Sequence, residues 1–207
     1  MKLHVFPPSP RAGKVLALAN HLDLGSELQI VDLFKGEQFR PEYAALNPNK
    51  RMPVLEDDGF VLWESNAILQ YLASKKPESG MWPQSARAQA DVTRWTTWEA
   101  AHWTPTLAPI LFQRVVKRLS GQGEPDLEVV ANSEAELPKW AEVLDAQLKG
   151  RKWLLGDQLT IADFCVGAPL VMAEAAQLPL APYHEIRRWY GQLAALPAWK
   201  AFVLPPA

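Results

Sequence analysis

The stretch Met52-Pro53-Val54-Leu55-Glu56-Asp57-Asp58-Gly59-Phe60-Val61-Leu62-Trp63-Glu64-Ser65-Asn66-Ala67-Ile68-Leu69-Gln70-Tyr71-Leu72 decides the fold. Two short apolar runs, Met52–Leu55 and Phe60–Trp63, flank Asp57-Asp58-Gly59. An Asp-Gly pair suits a tight reversal, so this segment reads as a β-hairpin. From Glu64 to Lys76 the period changes: Ala67, Ile68, Tyr71 and Leu72 fall on one helical stripe. Two strands running into an amphipathic helix belong to an α/β unit.

Reading toward the N-terminus supports the same class. Leu3–Phe6 is an apolar strand-like run closed by Pro7-Pro8, and Arg11 to Leu22 carries Val15, Leu16, Leu18, Ala19 and Leu22 at helical spacing. Leu28–Leu33 alternates and contains β-branched residues, which predicts a further strand. An α/β domain is therefore expected over residues 1–76. Pro77, Gly80 and Pro83 break the pattern next, giving a linker at residues 77–83.

Residues 84–207 show helical patterns divided by Gly and Pro, which predicts an all-α domain. Ser85–Leu119 reads as one long or broken helix, with a bend expected near Thr104–Pro109 because Pro105 and Pro109 each lack an N–H. Leu137, Trp140, Ala141, Leu144 and Leu148 mark a helix that stops at Gly150. Leu159-Thr160-Ile161-Ala162-Asp163-Phe164 has Thr as N-cap, Asp three residues on, and flanking apolar residues that form a hydrophobic staple.

Composition excludes several classes. With 48% hydrophobic and 21% charged residues the chain can bury a core, so disorder is out. Lys plus Arg number 21 against 23 acidic residues, leaving a net charge of −2 and no basic block to neutralise phosphates, so no nucleic acid partner is expected. The nearly apolar run from Phe164 to Ala173 is about half of the roughly 20 residues a membrane span needs, so no membrane partner is expected. The start of the sequence is too short for the apolar part of a signal peptide, and the expected location is cytoplasmic. Cys165 is the single cysteine, which excludes an internal disulfide, a CxxC pair and thiolate-clustered zinc; no metal is expected. The nine tryptophans supply large apolar planes.

Four stretches then carry a resemblance: Ser9-Pro10-Arg11-Ala12-Gly13-Lys14-Val15, Asn47-Pro48-Asn49-Lys50-Arg51-Met52-Pro53-Val54-Leu55, Trp63-Glu64-Ser65-Asn66-Ala67-Ile68 and Leu159-Thr160-Ile161-Ala162-Asp163. In this order, over nearly the whole chain, they resemble the glutathione transferase family, in particular its serine-type, bacterial theta/phi-like members. The resemblance implies a thioredoxin-like α/β N-terminal domain that holds glutathione as co-substrate, followed by an all-α helical-bundle C-terminal domain. It further implies that the helical domain supplies most of the wall for an electrophilic small molecule, that the protein is a homodimer, and that it serves detoxification.

Using glutathione as a nucleophile requires the thiolate, whereas a free cysteine thiol has a pKa near 8.5. Within the first 26 residues the hydroxyl or thiol side chains are Ser9 and Ser26, and the first tyrosine is Tyr43. Ser9 matches the serine of the serine-type enzymes, and the resemblance implies that its hydroxyl bonds to the thiolate. It also fits as N-cap of the first helix with Pro10 at the first helical position, and the two roles are compatible. Ala12 departs from relatives that carry a second Ser or Thr there.

The resemblance further implies that Met52-Pro53 is a cis pair whose backbone meets the cysteinyl part of glutathione. Ser65 would take the γ-glutamyl carboxylate at a helix start, with Glu64 on the ammonium; both types also favour a helix start in any protein. Of Arg40, Lys50 and Arg51, Arg51 is chosen for the glycyl carboxylate. Gln38 is a further glutathione contact, although Gln38-Phe39 stands where a His-Lys pair can occur. For the co-substrate, Pro8, Trp98 and His102 are the candidates; Trp95, Trp98 and His102 share a helical face that equally suits a core or a subunit interface. Asp91 and Arg94 are candidates for that interface or simply exposed charges, and Cys165 reads as a small buried hydrophobe. A non-catalytic glutathione-binding or interaction module of the same fold is the alternative function. The maleylacetoacetate isomerase branch is disfavoured, since Pro8-Ser9-Pro10-Arg11 does not match its serine-serine-cysteine signature.

Overall fold

A computed structural model of the chain describes residues 1–200. The chain divides into two units, residues 1–84 together with the segment from Leu196, and residues 85–195.

The first unit contains β1 (Lys2–Val5), α1 (Pro10–His21), β2 (Glu27–Ile30), α2 (Pro41–Leu46), β3 (Val54–Asp57), β4 (Phe60–Trp63) and α3 (Ser65–Ser74). The four strands form one mixed sheet in the order β2-β1-β3-β4. β1 runs parallel to β2, while the β1–β3 and β3–β4 pairs are antiparallel. This is the thioredoxin-like arrangement. Helices α1 and α3 pack against each other, and they bury Val15, Leu18, Ile68, Leu69 and Leu72 along with Leu3, Val5 and Leu55 of the sheet. A second cluster of Phe6, Val31, Tyr43, Met52 and Val54 involves α2 and its flanks.

The hairpin forms as its turn chemistry dictates. Asp57 pairs with Phe60, leaving a two-residue loop, and Asp58 and Gly59 both have positive φ, at 49° and 85°. A reversal with two positive φ values matches the twist of the strands. A Cβ on Gly59 would meet nothing within 4 Å, so Gly59→Ala is expected to cost about 1 kcal/mol through backbone conformation alone. Chemical denaturation would read that loss as a lower midpoint at unchanged slope. The hairpin is tied to α3 because Asp57 Oδ2 accepts from the Tyr71 hydroxyl at 2.8 Å and from the Lys75 ammonium. These bonds, that of Lys75 foremost, hold the Asp57 carboxyl below its usual range.

Strand β2 is shorter than the expected Leu28–Leu33 and ends at Ile30. Asp32 is the reason: its Oδ1 accepts from the backbone N–H of Phe34 at 2.9 Å and of Lys35 at 3.3 Å, which turns the chain out of the extended path.

The second unit contains α4 (Ala86–Trp98), α5 (Thr104–Leu111), α6 (Lys117–Leu119), α7 (Leu127–Leu148), α8 (Ile161–Gly167) and α9 (His184–Ala194). The long helix expected over residues 85–119 stays helical throughout. Its interruptions are two wider π turns, Glu99–Trp103 and Phe112–Val116, which separate α4, α5 and α6. Pro105 is the second residue of α5, directly after the first π turn, and Pro109 lies inside α5.

The capping box of α8 is present as the sequence specifies, and every residue of that helix is buried. Asp163 is 0% exposed and serves more than its own helix. Its Oδ1 accepts from the Leu154 N–H and from the Trp189 indole, both at 2.8 Å, and its Oδ2 accepts from the Thr160 N–H at 3.0 Å. Cys165 is buried as expected, but its thiol also donates to Glu99 Oε2 at 3.2 Å.

One boundary differs from the expected division at 84–207. Helix α10 (Pro197–Lys200) packs on α1 and belongs to the first unit. Trp199, 0% exposed, is a large apolar plane that gains more from that burial than from following its neighbours in sequence.

Candidate functional site

The site is assembled where α1, the loop before β3 and the start of α3 meet. Ser9 caps α1: its backbone is extended, Pro10 follows at the first helical position, and its Oγ accepts from the Ala12 N–H at a long 3.5 Å. A cap of this kind uses an oxygen lone pair, so the hydroxyl proton remains able to donate. Both roles read from the sequence are thus open to one side chain.

Met52–Pro53 is a cis pair. The carbonyl just before it, that of Arg51, accepts from the Tyr43 hydroxyl and from Asn47 Nδ2, each at 2.7 Å. Asn47 Oδ1 in turn accepts from the Asn49 N–H at 3.0 Å. Burial pushes the Tyr43 phenol up, which keeps it a donor. Sequence reading missed Tyr43 and Asn47 in this part; the Asn-Pro-Asn turn was the available signal.

At the start of α3, Glu64 has φ +71°, ψ 110° and gives the helix no side-chain cap. A non-glycine residue in that region stores local strain. The Glu64 side chain places no capping oxygen on the first turn of α3. Ser65, at 4% exposure, is the first helical residue.

Ser9, Gln38, Arg51, Met52, Pro53, Glu64 and Ser65 all line one cavity of about 450 Å3 within the first unit. Arg11, Leu33, Phe39, Asn47, Asn49 and Lys50 complete its wall. The charges there are Arg11, Lys50 and Arg51 against Glu64, so the cavity favours an anionic guest with one cationic group. Gln38 Oε1 is buried without a hydrogen-bond partner among the described residues. Of the three cations weighed for the glycyl carboxylate, Arg40 lies outside this cavity and pairs with Glu37 at 3.0 Å.

The three co-substrate candidates fall in different units of the chain, Pro8 in the first, Trp98 and His102 in the second. Pro8 is not among the residues lining the cavity. Trp98 and His102 belong to an aromatic cluster of the helical unit: Trp98 stacks on Trp103 at 5.8 Å between ring centres, and His102 lies flat on Trp140 at 4.2 Å. Trp98 also borders a separate hollow with Arg94, Trp95 and Val143. Asp91 and Arg94 form an exposed pair at 3.1 Å. Among the described residues no group of three or more His, Cys, Asp or Glu is placed to hold a metal ion, and no helix is long and apolar enough to cross a membrane.

A thioredoxin-like sheet unit carrying a cavity lined by more cationic than acidic side chains, followed by a helical unit, defines a two-domain class, and comparison with known proteins specifies it. A family model described as "Glutathione S-transferase, N-terminal domain" matches residues 1–74, and one described as "Glutathione S-transferase, C-terminal domain" matches residues 101–197. Glutathione S-transferase 3 of Zea mays is 36% identical over 216 residues, covering 100% of this chain and 96% of its own length. The structure of glutathione S-transferase-I bound with lactoylglutathione superposes with a TM-score of 0.88 at 27% identity, covering 98% of this chain and 97% of that one. A glutathione transferase from Burkholderia graminis, solved with two glutathione molecules per subunit, gives 0.83 at 26% identity over 99% of this chain and 88% of its own. The chain belongs to the glutathione S-transferase family.

Proposed function

We propose that the chain is a glutathione transferase of the serine type, which binds glutathione in the 450 Å3 cavity and transfers it to an electrophilic small molecule. The observation that carries this reading is the convergence of Ser9, Met52-Pro53, Arg51 and Glu64-Ser65 on one cavity whose charges complement those of glutathione. Its two carboxylates call for cationic partners and its ammonium for a carboxylate. Ser65 and the start of α3 take the γ-glutamyl carboxylate, Glu64 the ammonium, and Arg51, with Lys50 beside it, the glycyl carboxylate. The Met52 backbone meets the cysteinyl part, and Gln38 Oε1 accepts an N–H of the tripeptide.

Ser9 donates a hydrogen bond from its hydroxyl to the sulfur and the positive end of α1 acts in the same direction, so the thiol releases its proton to solvent and the thiolate is favoured over the thiol. The sulfur lone pair then forms a bond to an electrophilic carbon. The displaced electron pair leaves with a departing group, or, when the reaction is an addition, stays on the product and takes up a proton from water.

Titrating thiolate absorbance of glutathione bound to the wild type and to Ser9→Ala tests this. The expected result is a thiol pKa below the free value of about 8.5 in the wild type, moving back toward it in the variant. Saturable binding with no depression would replace the transferase reading by the binding-module one, and absence of binding would overturn the assignment of the cavity.

A second copy of the chain is the protein partner we propose. The edge strand β4 supports this reading, because Phe60, Val61 and Trp63 are exposed large apolar side chains on one short element. Sedimentation should give twice the chain mass, and Trp63→Glu should shift it toward monomer; a monomeric wild type would remove this partner.

A further inference from the structure

Lys14 stands on α1 five residues after Ser9 and is 1% exposed, among the most deeply buried large side chains of the chain. Its Nζ donates to Asn66 Oδ1 at 2.5 Å. Burying an ammonium-bearing side chain is costly, and an apolar residue of similar volume would fill the same space without that cost. Packing of α1 on α3 therefore does not account for a lysine here. What lies at the other end of the hydrogen bond does: Asn66 is the second residue of α3, directly after Ser65.

We propose that Lys14 is a positioning residue for the anion-binding end of α3. Held from the interior side by Lys14, Asn66 fixes the first turn of the helix, and with it the Ser65 N–H and hydroxyl that meet the γ-glutamyl carboxylate. This inference rests on the reading of the cavity as a glutathione site. The need for such a hold is visible in the backbone: Glu64, which leads into the helix, sits at φ +71° and supplies no cap, so the turn lacks the usual local anchor. A cationic side chain behind a helix N-terminus also has the same sign as that end of the helix dipole, and so adds to its attraction for a carboxylate.

The test uses Lys14→Met, Lys14→Arg, Asn66→Leu and the Lys14→Met/Asn66→Leu double variant of the full chain. Glutathione KM is expected to rise about tenfold in Lys14→Met and in Asn66→Leu, with kcat at saturation within about twofold of the wild type. Lys14→Arg should recover most of the loss, and the double variant should be no worse than either single one, since both remove the same contact. A Lys14→Met protein that melts earlier with an unchanged KM would show a purely structural lysine and overturn the proposal; so would effects that multiply in the double variant. Hydrogen exchange on ligand-free protein gives a readout independent of glutathione. The Ile68 amide, whose bond to the Glu64 carbonyl at 3.0 Å is the first of the helix ladder, should exchange faster in Lys14→Met. Were the wild type not to bind glutathione, the cavity reading would fall by itself, and the proposal would stand or fall on Ile68: faster exchange supports the hold on α3, and unchanged exchange overturns it.

Discussion

Alanine in place of Ser9 is expected to lower kcat on the order of 100-fold, the effect of removing one hydrogen bond aimed at a reacting anion in a sheltered site. The KM for glutathione should change little, because the partners proposed for its carboxylates and ammonium, Arg51, Ser65 and Glu64, are left in place. Residual turnover would reflect the positive end of α1, which no Ser9 substitution removes. The same alanine also deletes the N-cap of α1, worth about 1 kcal/mol at most other helices, but here the bond to the Ala12 N–H is a long 3.5 Å. Glycine separates the two roles. As an N-cap it costs only a few tenths of a kcal/mol relative to serine, yet it has no hydroxyl. Ser9→Gly should therefore be as slow as Ser9→Ala while unfolding close to the wild-type midpoint. If Ser9→Gly turned over at the wild-type rate, the hydroxyl would have no part in activating the thiol.

The largest stability effect is expected at Asp163. Replacing it by alanine leaves the N–H groups of Leu154 and Thr160 and the Trp189 indole without their acceptor in a region closed to water. Each stranded donor costs about 1–3 kcal/mol, so the total approaches half or more of the stability of an ordinary domain. We expect Asp163→Ala to be largely unfolded at 37 °C, as read by circular dichroism and by the denaturant midpoint. Asparagine keeps the shape but presents an NH2 group to donors on one side, and should fall between the two.

The titration of this carboxyl sets a pH dependence. Burial raises its pKa to about 6, although the backbone N–H groups of Leu154 and Thr160, the Trp189 indole and the Thr160 hydroxyl pull the other way. A carboxyl whose folded pKa lies above its unfolded value stabilises most when protonated, and that contribution is lost as pH rises through the folded pKa. The stability gap between wild type and Asp163→Asn should accordingly narrow from about pH 4 to above pH 6. A gap that widens over this window would show that the accepted hydrogen bonds outweigh desolvation.

Legibility in the sequence followed the range of the interactions. The hairpin at Asp58-Gly59 and the Thr160–Asp163 capping box are set by residues within a few positions of each other, and the structure reproduces both. The end of β2 escaped because a side chain, Asp32, competes with the ladder for the backbone. Prolines announced an interruption after α4, but not that it would take the form of wider turns that keep the chain helical. The placement of Trp199 on the first unit is a purely tertiary preference. At the cavity, the residue types that line it were readable, whereas the grip of Tyr43 and Asn47 on the Arg51 carbonyl was not: the Asn-Pro-Asn turn marks a loop, but a hydrogen bond to a backbone oxygen leaves no pattern that names its acceptor. That Arg40, alone of the three cations weighed, lies outside the cavity was not readable either; it pairs with Glu37 three residues before it.

The early end of β2 bears on how the protein behaves when crowded. As an outer strand of the sheet, it carries an open row of backbone donors and acceptors, and Leu28 and Ile30 are 50% and 46% exposed. Such an edge invites addition of a strand from another molecule, the first step toward aggregation. Asp32, paired with Lys35 at 3.3 Å, limits the strand to four residues and, with the Glu27–Lys2 pair at 3.4 Å at the other end, brackets it with charged side chains. The same side-chain bonds that shorten the strand thus act as a gatekeeper of solubility.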